Sequence, residues 1–310
     1  FLTIAIFITC TSTAKQRPEG GWLWKISGNG LSHPSYLFGT YHGTYDILYQ
    51  YTDSIPELHQ AFNACSQFAG ESETTSKPTP AQVGVAIKLP KDTTYADLLN
   101  KEDFHFLDSI VRQSLKSPLN KVYIKPNFLA LILGEIEKGK KLVDTGYSQS
   151  QIDSMKSQVM DIALEKKAKE KGLTIVGLEG IFDAFVSEKS NLKKEADELI
   201  SDLREDDEIS PLSFVNTLSD VYRTQNMKSL IDFEVKVDSI FQTSPKLTEI
   251  GKRIREDLLK RRNLNWMNKI PELMKAQPTF IAVGVRHLPG KDGLIALLLE
   301  KGYQVEPIGL

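Results

Sequence analysis

The sequence predicts an α/β fold: a central, mostly parallel or mixed sheet built from both chain ends, with a large helical insertion. Three observations carry this. Short apolar runs rich in β-branched and aromatic residues lie near the start, near the end and around 173–179. Such runs, bounded by Gly, Pro, Asn or Ser, read as buried strands. The long stretches between them, about 80–172 and 189–275, read as mostly helical. Strands separated by helices imply strand pairing between distant parts of the chain.

The elements follow in order. Residues 22–27 form a strand, and Gly28-Asn29-Gly30 and His33-Pro34-Ser35 punctuate a turn into a second run, YLFGTYH at 36–42. The pair reads as a hairpin. A helix is expected over 54–64 and a strand over 66–71, SQFAGE, followed by a polar loop at 72–80. Within the insertion the clearest helix spans 150–171. It stops at Gly172, with Lys166, Lys167, Lys169 and Lys171 placed to complement its C-terminus. Residues 173–179, LTIVGLE, form a third strand ending in a carboxylate. Ser244-Pro245 opens another helix, with Ser as N-cap and Pro in the first turn. Leu247, Ile250, Ile254 and Leu258 are spaced to make one buried stripe. The chain closes with a strand at 280–284, a helix at 292–301 stopped by Gly302, and a last strand at 303–308.

At 310 residues the chain can bury a large core, as one domain with an insertion or as two domains. We divide it into a leader and linker at 1–20 and a domain at 21–310. A net charge of −2 gives no electrostatic case for nucleic acid. P-loop, dinucleotide-binding, zinc-finger and His-Glu-x-x-His patterns are missing. Residues 1–9, FLTIAIFIT, are too short to span a bilayer and suit a signal-peptide core. Cys10, followed by Thr-Ser-Thr, resembles a bacterial lipoprotein cleavage site, although Thr9 stands where Gly, Ala or Ser is usual. The alternative is an ordinary secretory peptide cut a few residues later. Both readings make the protein exported: periplasmic, cell-surface or secreted, with lipid at Cys10 as the membrane anchor in the first case. Cys65, the other cysteine, reads as a small buried hydrophobe.

Two of the five histidines share one context. YLFGTYH ends in Gly39-x-x-His42, and FIAVGVRH ends in Gly284-x-x-His287. Each glycine is read as letting the backbone turn as the strand ends. The histidines then stand beyond the carboxyl ends of strands, where parallel sheets place ligands. Two neutral imidazoles there can bind a metal, or one can act as a general base. Glu71 and Glu179 also end apolar strands, where a carboxylate lies at the surface or has a partner. Arg262 sits four residues after Leu258 and four before Trp266, on a face read as buried. It needs a buried acid or an anion.

The set GTYH, AGES, VGLE and VGVRHLPGKDGL resembles the TraB/PrgY/GumN family, which includes the animal Tiki proteins. The resemblance runs from about Trp22 to Pro307. It implies a metal-dependent peptidase-like site with His42, His287 and Glu71 as ligands of zinc, manganese or cobalt. Glu71 is then a ligand or the base that activates water, with Glu73 as its backup. Glu179 becomes a rim residue that supports a histidine or touches substrate. Asp161 matches a recurring family acid. Arg262 and Asn263 match an Arg-Asn pair that would polarise a carbonyl or stabilise an oxyanion, against a structural ion pair from Arg262 to Glu71 or Glu179. Arg286 would anchor a substrate carboxylate or form a surface salt bridge. His33, His59 and His105 read as surface residues. The expected function is an exported hydrolase cutting a peptide or ester bond in a peptide or small-molecule substrate. The alternatives are a metal-free His/Glu esterase and a non-catalytic peptide-binding or ligand-binding regulator.

Overall fold

Six strands form one mixed sheet in a computed structural model, which describes residues 20–41, 56–73, 78–156, 159–183, 191–204 and 218–309. The expected leader with Cys10, and His42, lie outside the described residues. The strands are β1 (Leu23–Ser27), β2 (Ser35–Thr40), β3 (Gln67–Gly70), β4 (Thr174–Gly177), β5 (Thr279–Gly284) and β6 (Gln304–Pro307), in the order β4-β3-β5-β2-β1-β6. Parallel pairing joins β4, β3, β5 and β2, whereas β1 is antiparallel to both β2 and β6. The hairpin expected from the Gly and Pro punctuation is therefore present.

β5 has β3 on one side and β2 on the other, and all six of its residues are buried. That explains its unbroken apolar run: a central parallel strand has no solvent face to make polar. Register puts Thr40 beside Gly284 and Gly70 beside both Gly177 and Ala282. The carboxyl ends of β2, β3, β4 and β5 thus share one edge.

Besides a single helical turn at Tyr95–Leu98, the main helices are α1 (Pro56–Asn63), α2 (Pro80–Ile87), α3 (Lys101–Leu115), α4 (Pro126–Asp144), α5 (Gln149–Lys156), α6 (Met160–Glu170), α7 (Leu192–Arg204), α8 (Met227–Phe241), α9 (Pro245–Arg253), α10 (Arg261–Trp266), α11 (Ile270–Ala276) and α12 (Leu294–Glu300). Two apolar cores result. The larger packs α1, α6, α8, α10, α11 and α12 on the sheet, around Phe68, Phe280, Ile281, Trp266 and Leu298. The second lies within the helical region, around Tyr95, Leu107, Val111, Leu119 and Leu129, and takes Ala196, Leu199 and Ile200 from α7.

Three expectations change. The helix read over 150–171 is two, α5 and α6, because Val159 has extended backbone at the start of α6. Met160, Leu164 and Ala168 of α6 belong to the core on the sheet. The stripe Leu247, Ile250, Ile254 and Leu258 is only half-buried, and Leu258 is 36% exposed. For Leu258 the cause is a π-helical turn, Ile254–Lys260, between α9 and α10, whereas Leu247 and Ile250 lie ahead of it. Its i→i+5 hydrogen bonding shifts the face that a 3.6-residue period assigns. Finally, Gly39 is needed for close approach and not for a turn. A Cβ there would lie 2.9 Å from Val285 Cγ2 and 3.1 Å from the Val285 Cα. Gly284 has a negative φ of −51°.

Ser244 accepts a hydrogen bond from Leu247 N at 3.2 Å, and Pro245 opens α9, as expected. Cys65 is buried between α1 and β3, and burial pushes its thiol up to about 12. The unfolded thiol ionises near 9, so the native state keeps a proton that the unfolded state loses. This contribution to stability is complete below about pH 9 and falls as pH rises from there towards 12. Iodoacetamide at pH 8 should therefore label Cys65 slowly in native protein and rapidly in denaturant, with peptide mapping to separate it from Cys10. Equal labelling in both states would contradict the burial.

Candidate active site

The edge where the parallel strands end gathers Glu71, Glu179, Arg262, Asn263 and His287. Glu71 directly follows β3. Glu179 lies two residues beyond β4, and the backbone carries it alongside Glu71: Leu178 N donates to Gly70 O and Glu179 N to Glu71 O, both at 2.9 Å. Gly177 permits this. A Cβ there would stand 2.9 Å from Glu73 N and 3.0 Å from Glu179 O. His287 ends a single 3-10 turn after β5, and Arg262 and Asn263 come from α10, just past the π-helical turn.

Arg262 is the hub. Its Nε donates to Glu179 Oε1 at 2.9 Å and Oε2 at 3.2 Å, and its Nη2 donates to Glu179 Oε1 and Glu71 Oε2, both at 2.5 Å. Nη1 lies 3.2 Å from His287 Nε2 and 3.4 Å from Leu258 O. A guanidinium has five N–H bonds, and these partners use all of them. Burial works against its charge, but the hydrogen bonds and charges of Glu179 and Glu71 outweigh that and hold its pKa above the ordinary value. The guanidinium also lies over the Trp266 ring, 4.7 Å from the centroid.

The other side chains are anchored in turn. Trp266 Nε1 donates to Glu179 Oε2 at 3.1 Å. Gly284 N donates to Glu71 Oε1 at 2.7 Å. The Asn263 amide donates to His287 O at 3.1 Å and Asp292 O at 2.8 Å, and its Oδ1 is 2.7 Å from His287 Nδ1. His287 Nε2 faces Glu71 Oε1 across 3.8 Å.

The geometry shows the pairing of both arginines. For Arg262 and Asn263 the sequence left two readings: polarising a carbonyl or stabilising an oxyanion, and a structural ion pair from Arg262 to Glu71 or Glu179. In this arrangement the five guanidinium N–H bonds and both amide N–H bonds are already engaged within the protein. Arg262 is an ion-pair hub joining Glu71 to Glu179, and Glu179 anchors it with Trp266. Arg286 pairs through its Nε and Nη2 with the two carboxylate oxygens of Glu234, at 2.5 and 2.8 Å, as the salt-bridge reading expected. Glu73 lies 3.7 Å from Lys169. His33, His59 and His105 are exposed.

Several contributors were not singled out in the sequence. Trp266 was read only as an apolar face residue, yet its indole N–H serves Glu179; its position four residues after Arg262 was the available signal. Thr40, at the end of β2, donates to Asp161 Oδ1 at 2.8 Å, which links the recurring acid to the strand before His42. Tyr222 donates to Gly39 O at 2.7 Å and stacks on Trp22 and Tyr41. No motif marks it.

Removing Arg262 leaves two carboxylates facing each other in a mostly buried site. We expect Arg262→Ala to cost about 3–5 kcal/mol, the usual penalty for breaking one side of a buried ion pair. Arg262→Lys should recover little, because one ammonium cannot span these partners. Denaturant unfolding of both variants beside the wild type checks this, and full recovery by Arg262→Lys would argue against the need for a forked ion.

Among the described residues, no group of three His, Cys, Asp or Glu side chains could hold a metal ion. Glu71 and His287 form a pair of donors. Zinc binds imidazole nitrogen and carboxylate oxygen at about 2.0–2.2 Å, so two donors 3.8 Å apart can share one ion. Mixed nitrogen and oxygen donors also suit manganese and cobalt. The donor types suit the expected metal, and an ion bound to His287 Nε2 would displace the contact from Arg262 Nη1 at 3.2 Å.

Residues 22–307 match the TraB/PrgY/gumN family. One relative, Metalloprotease TIKI2 of Danio rerio, is 22% identical in an alignment covering 96% of this chain. The chain spans 62% of that relative's length. No solved structure matches. The family match covers nearly the whole chain, including every strand described here, and the chain belongs to the TraB/PrgY/gumN family.

Proposed function

We propose that this protein is an exported, metal-dependent hydrolase that cuts a peptide or ester bond, with Glu71 and His287 at the centre of its site. The observation that carries the reading is their convergence. A carboxylate after β3 and an imidazole after β5 meet at 3.8 Å on the edge where parallel strands end. The name of the TIKI2 relative, a metalloprotease, supports the same chemistry. Export rests on the apolar residues 1–9 ahead of Cys10.

A divalent metal held by Glu71 and His287, with His42 as the third ligand the family resemblance supplies, would polarise the scissile carbonyl and make bound water more acidic. The protein's own groups do the rest. Glu71 is held by Gly284 N–H on one oxygen and Arg262 on the other. Its side chain is 17% exposed against 5% for His287, so Glu71 is the group an incoming substrate reaches first. Glu71 is either a ligand of that metal or the base, and as the base it takes the proton released as water attacks the carbonyl carbon. It then returns that proton to the leaving amine or alcohol as the acyl bond breaks. Arg262 and Glu179 keep the carboxylate in place and do not touch the reacting atoms.

A second reading has its own support. The contact from His287 Nδ1 to Asn263 Oδ1 is the orienting bond that a metal-free general base needs. In that case His287 Nε2 takes the proton from water and Glu71 steadies the imidazolium.

Metal content and turnover separate the possibilities. Elemental analysis of purified protein supplied with zinc, manganese and cobalt should find close to one ion per chain. Glu71→Gln should lower metal content and reduce kcat/KM on peptide or ester substrates by about 10²–10⁴, the usual contribution of a positioned base. Turnover without metal favours the second reading. Failure of both metal uptake and turnover would leave a binding protein.

A further inference from the structure

We infer that Asn263 is a positioning residue that locks His287 as its Nδ1–H tautomer and leaves the Nε2 lone pair facing Arg262 Nη1, beside Glu71. The inference rests on the proposed site and adds to it the protonation state in which the imidazole waits.

The orientation of the Asn263 amide is forced. Its Nδ2 lies 3.1 Å from His287 O and 2.8 Å from Asp292 O. Both are backbone carbonyls, which only accept, so the amide NH2 must face them. Oδ1 is then the atom 2.7 Å from His287 Nδ1. An amide oxygen only accepts, so Nδ1 must carry a proton. The far side of the ring agrees independently. Arg262 Nη1, which only donates, lies 3.2 Å from Nε2. A proton on Nε2 would point at a guanidinium N–H. Both neighbours therefore select one neutral tautomer, with hydrogen on Nδ1 and a lone pair on Nε2.

The surroundings fix the ring plane as well. His287 is 4% exposed, and the Trp266 ring packs on it at a centroid distance of 4.5 Å. Asn263 bonds the backbone and the side chain of the same histidine, so it sets the position and the tautomer together. Outer groups of this kind hold a ligand histidine in register for a metal or for a proton. The arrangement also explains an asparagine in place of a carboxylate. An aspartate would set a second oxygen against the carbonyls of His287 and Asp292, where only a donor fits.

Nitrogen-15 NMR of the histidine side chains reads the tautomer directly in metal-free protein, with no need for activity. Wild type should show His287 with a pyrrole-type Nδ1 and a pyridine-type Nε2. Asn263→Leu, which removes the acceptor, should shift His287 towards the Nε2–H form and lower metal affinity by about 10–100-fold. A purely structural Asn263 would lose stability on substitution while the tautomer stayed the same, and that result overturns the inference. Wild-type His287 with its proton on Nε2 overturns it too, and this measurement stands even if the variant fails to fold. The expected tautomer without metal uptake or turnover would keep the inference and reject the hydrolase reading.

Discussion

The Arg262 guanidinium is the constraint on which the site depends. It is 8% exposed, and a charge so placed is costly to hold away from water unless its hydrogen bonds are satisfied. Its partners come from four places: the end of β3, the segment after β4, the turn after β5 and the π-helical turn before α10. Each is tied to the others through one planar ion whose fork geometry leaves little freedom. Glu71 faces His287 as it does because the guanidinium stands beside both. The bonds from Gly284 and Asn263 complete the frame from the backbone side.

Much of this was readable because the strands that matter are buried on both faces. A central parallel strand has to be an unbroken apolar run, and Phe280–Gly284 and Phe68–Gly70 are such runs. The polar residue that follows such a run is then at the edge where ligands sit, which is how Glu71 and His287 stood out, while Glu179 follows β4, an exposed to half-buried strand at the sheet edge. Arg262 stood out for a different reason, as a charge on a face that looked apolar, and its structural reading named the right partners.

The parts that were not legible depend on tertiary arrangement. Whether Arg262 and Asn263 retain donors for a substrate is a count of bonds to residues far away in sequence, and no local pattern holds that count. The π-helical turn shifts the face of the helix by one residue, so the stripe through Leu258 was misplaced although its spacing was regular. Gly39 resembled a turn glycine because it sits near a strand end. Its reason is the turn after β5, 246 residues away at Val285, which packs against its Cα. The close approach of the two Gly-x-x-His segments, and not the conformation of either one, requires that glycine.

The sheet order makes the site a product of the whole fold. β5 is the fifth strand in the sequence, but it lies between β2 and β3. Until it inserts, Glu71 has no Gly284 N–H and His287 is not beside Arg262. Pairing of this range is slow to form because the loop must close before its contacts stabilise it. The same insertion buries Val285 and Leu288 against the main core, on either side of Arg286 and His287. Changes to His287 therefore act on packing and on chemistry together: it is buried, bonded at both ring nitrogens and stacked near Trp266. Glu71 is different. It stands at the mouth of the cluster, and its substitution by an amide preserves shape and the acceptor for Gly284. The fold thus separates a buried imidazole, whose state is set by the protein interior, from a more accessible carboxylate that can meet solvent and substrate.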